Sequence, residues 1–378
     1  MDSQKPKSSY DRSDDEKVVR IIEVSTARGI PHDPDAHLGD VERAEIDRKL
    51  VRKLDLQLIP WAVFFSAAAV SGSFGGLLAA AIGKMDGLGG RPGWAWIFIL
   101  EGLATVLFGF LSFFVHDFPD TATFLTEQDR ARVIRRPKLD NQSSVEHEEF
   151  EMAYLWAAIK DWKMYLGMFI YMGADMPLYG FSLFLTSIIS SMGYTSTTKA
   201  QLMSVPPYVC AAIFTIAVGI CADRTGRRGL CNIFVSMFGI VGFGMHLGSQ
   251  NPRVKYAGTF LGALGIYPFI PNTIAWVSNN IEGYKRGIVL GFVIGWGNIN
   301  GLVSSNIFFQ APRYTAGHAA IMGYMVTCLV IGSTVMHVLL KSENAAKLSG
   351  RRDYLVAGKS DQEVETLGDN RPDFLYTT

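Results

Sequence analysis

Charge is scarce in this sequence and absent from long stretches of it. Only 19% of the 378 residues are Asp, Glu, Lys or Arg, against 49% hydrophobic. The charges gather before residue 61, between residues 116 and 162, after residue 341 and in a few short links. The formal net charge is zero; because the two signs are segregated by position, it points to no nucleic-acid partner. Cysteine is also sparse. Cys210, Cys221, Cys231 and Cys328 lie in or beside apolar runs, without a CxxC or any zinc spacing. They read as small hydrophobes, and neither a disulfide framework nor a metal centre is expected. Met1 is followed by polar sequence with no early apolar run or cleavage site, so no signal peptide is expected. No G-x-S-x-G or His/Asp pair lies within the apolar runs, which argues against an intramembrane enzyme.

What remains is a series of apolar stretches of roughly 20 residues, long enough to cross a ~30 Å hydrocarbon core as helices. The fold expected is an all-α polytopic membrane protein with eight spans. They run roughly over Ala62–Gly83, Trp94–Val115, Met164–Ser190, Leu202–Ala222, Leu230–Gly248, Tyr256–Val277, Gly287–Phe308 and Ala320–Leu340. Residues 1–61 read as a disordered polar tail, to about Asp40, followed by an interfacial helix from Val41 to Leu58. Residues 116–162 form a central link, in which "LTEQDRARVIRR" has a Thr N-cap with acid before base and predicts a surface helix. Residues 342–378 read as a polar tail. Even-numbered links carry the larger share of Lys and Arg, including Arg130, Arg132, Arg135, Arg136, Arg224, Arg227, Arg228, Lys285 and Arg286, which puts both termini in the cytoplasm.

Several polar groups fall inside these spans. Glu101 sits a third of the way into its span, where a carboxylate costs ~2.5–3.5 kcal/mol. It reads equally as a protonated packing residue or a proton carrier. Asp175, in "YMGADMPLYG", lies mid-span beside Pro177 and reads as a second acid for substrate or proton, or as a residue that tunes specificity. Tyr179, Tyr208 and Tyr267 are candidate hydrogen-bond donors to a carboxylate, although aromatics in spans more often only pack. Asn272, Trp276, Asn279 and Asn280 share one helical face. Asn298, Asn300, Ser304 and Ser305 form another. Gly287, Gly291 and Gly295 repeat every four residues, as do Gly297 and Gly301, a spacing that lets helix backbones approach closely.

The link "ADRTGRRG", Ala222–Gly229, joins two spans with Asp223 at a helix end, Gly226 for a tight turn, and Arg224, Arg227 and Arg228 as donors to that acid or to helix carbonyls. The alternative is a basic loop that only sets orientation. The D-R-x-G-R-R pattern resembles the signature loop of the major facilitator superfamily, which latches the cytoplasmic gate. "PLYGFSLFLTSII" (Pro177–Ile189), "VPPYVCAAIFTI" (Val205–Ile216), Gly93–Arg136 and Gly265–Tyr314 resemble the fungal allantoate permease group of anion:cation symporters within that superfamily.

The resemblance implies two six-helix halves around a central site, with residues 163–341 supplying the whole second half. Of the first half, residues 62–115 resemble only two helices. "LVRKLDLQLIPW" is similar to the run into the family's first helix, whereas "FFSAAAVSGSFGGLLAAAIGKMDG" is similar to its fifth. Four helices are therefore expected to be missing near Trp61–Phe64, through a shortened gene model or a skipped exon. The function implied is proton-coupled movement of a small organic anion or vitamin-like carboxylate at the plasma membrane, with a proton gradient and no cofactor. For the shortened chain the alternatives are retention in the endoplasmic reticulum, loss of transport, or association with a full-length paralogue.

Overall fold

The computed structural model describes residues 33–39, 41–53, 75, 78, 81–113, 124–139, 152–193, 197–308, 314–360, 363–364 and 367–378. Expectations for Ala62–Phe74, the Trp61–Phe64 junction and parts 116–123 and 140–151 of the central link lie outside the described residues. Among the described residues, seven helical stretches are long and apolar enough to cross a membrane. They coincide with seven of the eight expected spans.

The helices are numbered in chain order: α1 (41–53), α2 (Gly93–Ser112), α3 (Glu127–Leu139), α4 (Met152–Ile159), α5 (Trp162–Ser191) and α6 (Thr197–Thr225). After the Ala222–Gly229 loop come α7 (Arg228–Gly248), α8 (Pro252–Ile266), α9 (Phe269–Asn279), α10 (Tyr284–Ile307), α11 (Thr315–Tyr324) and α12 (Gly332–Leu348). Asp161 caps α5, accepting from Lys163 N at 2.9 Å, and Asn251 caps α8 with Pro252 at its first turn. Helices α8 and α9 make one passage broken at Tyr267–Pro268. Pro268 and Pro271 have no N–H to give the carbonyls of Leu264 and Tyr267, so the ladder stops and restarts there. Pro177 in α5 and Pro206–Pro207 in α6 do not break their helices.

Helix α5 is the centre of the bundle, packed against α6, α9, α10 and α11. The core around it includes Ile170, Phe181, Phe243, Trp276 and Met325, all 0–1% exposed. Between α11 and α12 the helix widens to i→i+5 bonding over Met325–Ile331. That segment sets Leu329 against Gly173 of α5, where a Cβ would lie 2.8 Å from Leu329 Cδ2. Helices α7 and α8 make the closest crossing: a Cβ on Gly242 would come within 2.7 Å of Gly258 O and overlap the backbone of Gly262. The expected glycine stripe is displaced by this finding. A Cβ at Gly287, Gly291 or Gly295 would meet nothing within 4 Å, so these residues permit no close approach among the described residues. Gly297 and Gly301 do, facing Tyr171 and Tyr179.

Two polar segments are more ordered than their composition implies. Asp35 receives Arg132 of α3 through a two-pronged contact, Nη2 to Oδ1 at 2.6 Å and Nε to Oδ2 at 2.7 Å. These bonds hold the Asp35 carboxyl below its ordinary range, against a small opposing effect of burial. Lys53 reaches Asp129 at 2.8 Å, and Leu50 is buried with Leu125. The reading of residues up to Asp40 as disordered therefore fails at 33–38. Helix α1 thus meets α3 through Lys53 and Leu50, while the planar guanidinium of Arg132, matched to the Asp35 carboxylate, fixes the turn before α1 on the same helix. Thr126 caps α3 as expected, accepting from Asp129 N at 3.2 Å. The second segment is the polar tail: α12 continues to Leu348, and residues 369–378 fold back beneath the bundle.

Candidate functional site

Tyr171, Asp175, Tyr179 and Ser182 recur at four-, four- and three-residue steps along α5, so they stand on one helical face over about 16 Å. Asp175 is 3% exposed, and its Oδ2 has no hydrogen-bond partner among the described residues. It faces α10 at Gly297, where a Cβ would lie 3.1 Å from that oxygen and overlap the Tyr171 ring. The Tyr179 hydroxyl donates to Asn298 Oδ1 at 2.6 Å across the same α5–α10 seam. One turn on, Ser182 Oγ and the Tyr267 hydroxyl are 3.1 Å apart, and the Tyr208 ring stands edge-on to Tyr267 at 5.5 Å. The broken α8–α9 passage is what brings Tyr267 there. Five of the expected residues, Asp175, Tyr179, Tyr208, Tyr267 and Asn298, thus share one polar region. Tyr171 joins them; its spacing four residues before Asp175 is a signal the sequence carried.

Three other candidates lie elsewhere. Glu101 is on an exposed face of α2, a helix only 6% buried. Asn272 and Trp276 belong to the end of the bundle that carries the Ala222–Gly229 loop. There Gly226 adopts φ +64°, and Arg228 contacts Asp223 through Nη2 and Asn272 Oδ1 through Nη1 at 3.1 Å. Asn272 Nδ2 donates to Arg228 O at 3.0 Å and to Asn232 Oδ1 at 2.7 Å, and Asn232 donates to Thr273 at 3.0 Å. Arg224 and Arg227 are exposed. Asp223 is thus one end of a chain of bonds whose buried members are two asparagines and a threonine. Trp276 lies over Gly229, where a Cβ would be 2.8 Å from Trp276 Cζ2, and its indole N–H donates to Thr377 O at 2.8 Å.

Two further groups escaped the sequence reading. His246 and His318 stack with ring centroids 4.7 Å apart at 15°, both buried, each with an unpartnered Nδ1 among the described residues. At the loop end, Asp161, Lys163, Lys285 and Asp369 form a buried ion cluster. Its members come from three distant parts of the chain, so no local spacing announces it.

Residues 61–337 match the Major Facilitator Superfamily. An uncharacterized transporter of Schizosaccharomyces pombe is 35% identical over 76% of this chain and 57% of its own length. The high-affinity nicotinic acid transporter of Saccharomyces cerevisiae is 32% identical over 84% of this chain and 59% of its own. An MFS-type transporter of Penicillium expansum is 30% identical over 83% and 64% respectively. The chain therefore spans about six-tenths of the length of these curated relatives. Seven apolar helices, an arginine-and-asparagine network behind a D-R-x-G-R-R loop, and a family match across most of the sequence converge: this chain belongs to the major facilitator superfamily.

Proposed function

We propose that the chain derives from a proton-coupled transporter of small organic anions, close to the allantoate permease group, and that Asp175 carries the coupling proton. The observation behind this reading is the buried, unpartnered Asp175 Oδ2 between two tyrosines at the α5–α10 seam. An ionised carboxylate left there without a partner is costly, and protonation removes the cost. It also removes the repulsion that Asp175 would exert on an anionic substrate. Anion binding and proton binding then favour one another, which is the sign symport requires. Tyr179, Asn298, Tyr208 and Tyr267 supply the neutral donors that a carboxylate substrate needs. The nicotinic acid transporter among the relatives is compatible with a substrate of that chemistry. In this reading the loop end is cytoplasmic and the membrane is the plasma membrane.

In a chain extended to the full length of its relatives, Asp175→Asn is expected to abolish uphill accumulation while preserving exchange of labelled substrate. Unchanged accumulation and an unchanged pH dependence would remove Asp175 from the coupling step.

A second reading concerns this chain by itself: a shortened, transport-inactive form. It is favoured by α2, whose Trp94, Phe98 and Phe110 are each about two-thirds exposed. Alternating access needs two bundles that close on each other, and a helix with so little cover does not seal a cavity. Reconstituted alone, the 378-residue chain is expected to accumulate no anion, whereas co-expression with a full-length paralogue offers α2 a partner. Robust proton-dependent uptake by the purified chain would overturn this second reading.

A further inference from the structure

Residues 369–378 are held in the manner of a bound peptide. Asn344 of α12 grips both main-chain groups of Tyr376, donating to its carbonyl and accepting from its N–H, each at 2.8 Å. Asn280, following α9, does the same for Thr377 at 2.9 and 2.8 Å. The two asparagines thus hold successive residues by their main-chain groups, reading backbone rather than side chain. Trp276 adds a second donor to Thr377 O.

The segment's charges are matched as well. Asp369, 1% exposed, accepts from Lys163 of α5 at 2.7 Å and from Lys285 of α10 at 2.9 Å. Arg371 donates to both oxygens of Glu282 at 2.9 and 3.0 Å. Lys347 of α12 donates to the carbonyls of Asp369 and Phe374 and stands 4.0 Å from the Tyr376 ring centroid. With Asp161, these make a dense set of buried charges drawn from distant parts of the chain; Lys163 and Asp369 are 206 residues apart. By contrast, residues 357–360, in the link back from α12, are exposed.

We propose that the loop end of the six-helix unit is a peptide-binding site, specific for a segment of Asp-x-Arg-x₂-Phe-x-Tyr character that turns over 368–374 and runs on without regular structure to 378, with residues 368–378 as its resident ligand. The bound segment ties the ends of α5, α9, α10 and α12 together. Through Trp276 on Gly229 it also braces the Ala222–Gly229 loop.

The test begins with the folded full chain in detergent or nanodiscs, with a site-specific protease sequence inserted between Gly358 and Lys359. After cleavage, the released piece is expected to co-elute with the helices and to be displaced by excess synthetic peptide 368–378. Asp369→Asn, cut only after the uncut variant has eluted as a single species, is expected to shed the segment on the order of tenfold to a hundredfold faster. A segment that leaves at once on cleavage would overturn the proposal, as would one that neither the peptide nor Asp369→Asn dislodges. Because the cut is made after folding, failure of a truncated chain to fold does not enter the result.

Discussion

Asn272→Ala in the Arg228 network separates two accounts of the loop. If the Asp223–Arg228 pair is the main fastener, losing Asp223 should be the more damaging change. The geometry says otherwise. The Asp223 side chain is 66% exposed, and an exposed ion pair contributes about 0–1 kcal/mol. Asn272 is 3% exposed and makes three hydrogen bonds. Its truncation leaves Asn232 Oδ1, on a residue 1% exposed, without its donor, at about 1–3 kcal/mol. The lost neighbour of Arg228 adds about 1 kcal/mol. Together the loss is about 2–4 kcal/mol, or roughly 5–15 °C for a unit of this size. The assay is thermal stability of the solubilised chain, followed by loss of the monodisperse elution peak on heating. Asp223→Asn is expected to shift the midpoint by no more than about 3 °C. Equal shifts for the two variants, or a larger one for Asp223→Asn, would refute the ranking.

Three other outcomes are accessible to the same protein. Gly242→Ala should destabilise by about 1–3 kcal/mol or more, because the new methyl meets the α8 backbone, whereas Gly291→Ala, open on all sides, should be neutral or slightly stabilising; both are read as thermal midpoints. Trp276→Phe loses the donor to Thr377 together with the outer indole atoms over Gly229, so release of the cleaved tail should accelerate; in a full-length transporter, apparent substrate affinity should stay constant. For Asp369, burial raises the carboxyl's pKa, but Lys163 and Lys285 outweigh it and leave the pKa below the ordinary 3.8. A depressed folded value means this stabilisation is present above the unfolded pKa and is lost only as pH falls through the folded one. Tail retention should therefore hold from neutrality to about pH 4 and fail in stronger acid; a release midpoint near about pH 6 would contradict it.

The spans were legible because twenty apolar residues between charged links have few other uses. The D-R-x-G-R-R loop was legible because its turn and its charges are local in sequence. Asn272 and Trp276 share a face, as their spacing indicated, but that face meets α7 and the tail, and spacing alone does not name what a face meets. The glycine stripes illustrate the same limit. Gly297 and Gly291 have similar surroundings in sequence, yet a Cβ at one would overlap Tyr171 and a Cβ at the other would meet nothing within 4 Å among the described residues. The docking of the tail was not legible, because average polarity says only that a segment forms no core of its own. It does not say whether complementary charges such as Lys163 and Lys285, placed 206 and 84 residues earlier, await it.

The small clasp between Asp35 and Arg132 has a consequence for counting. Two residues in contact occupy the same aqueous compartment, so the polypeptide between them traverses the bilayer an even number of times or not at all. Helix α2 is one traverse between Lys53 and its partner Asp129, so if α2 spans, an odd number of further passages must accompany it. The same parity holds through the rest of the molecule. Asp161, the Ala222–Gly229 loop, Glu282 and residues 369–378 all meet at one end, and each is separated from the next by two spanning helical stretches. A fluorophore or cysteine label placed near Asp35 should therefore be quenched or blocked from the same side of a sealed vesicle as one placed near Asp369, whichever side that is.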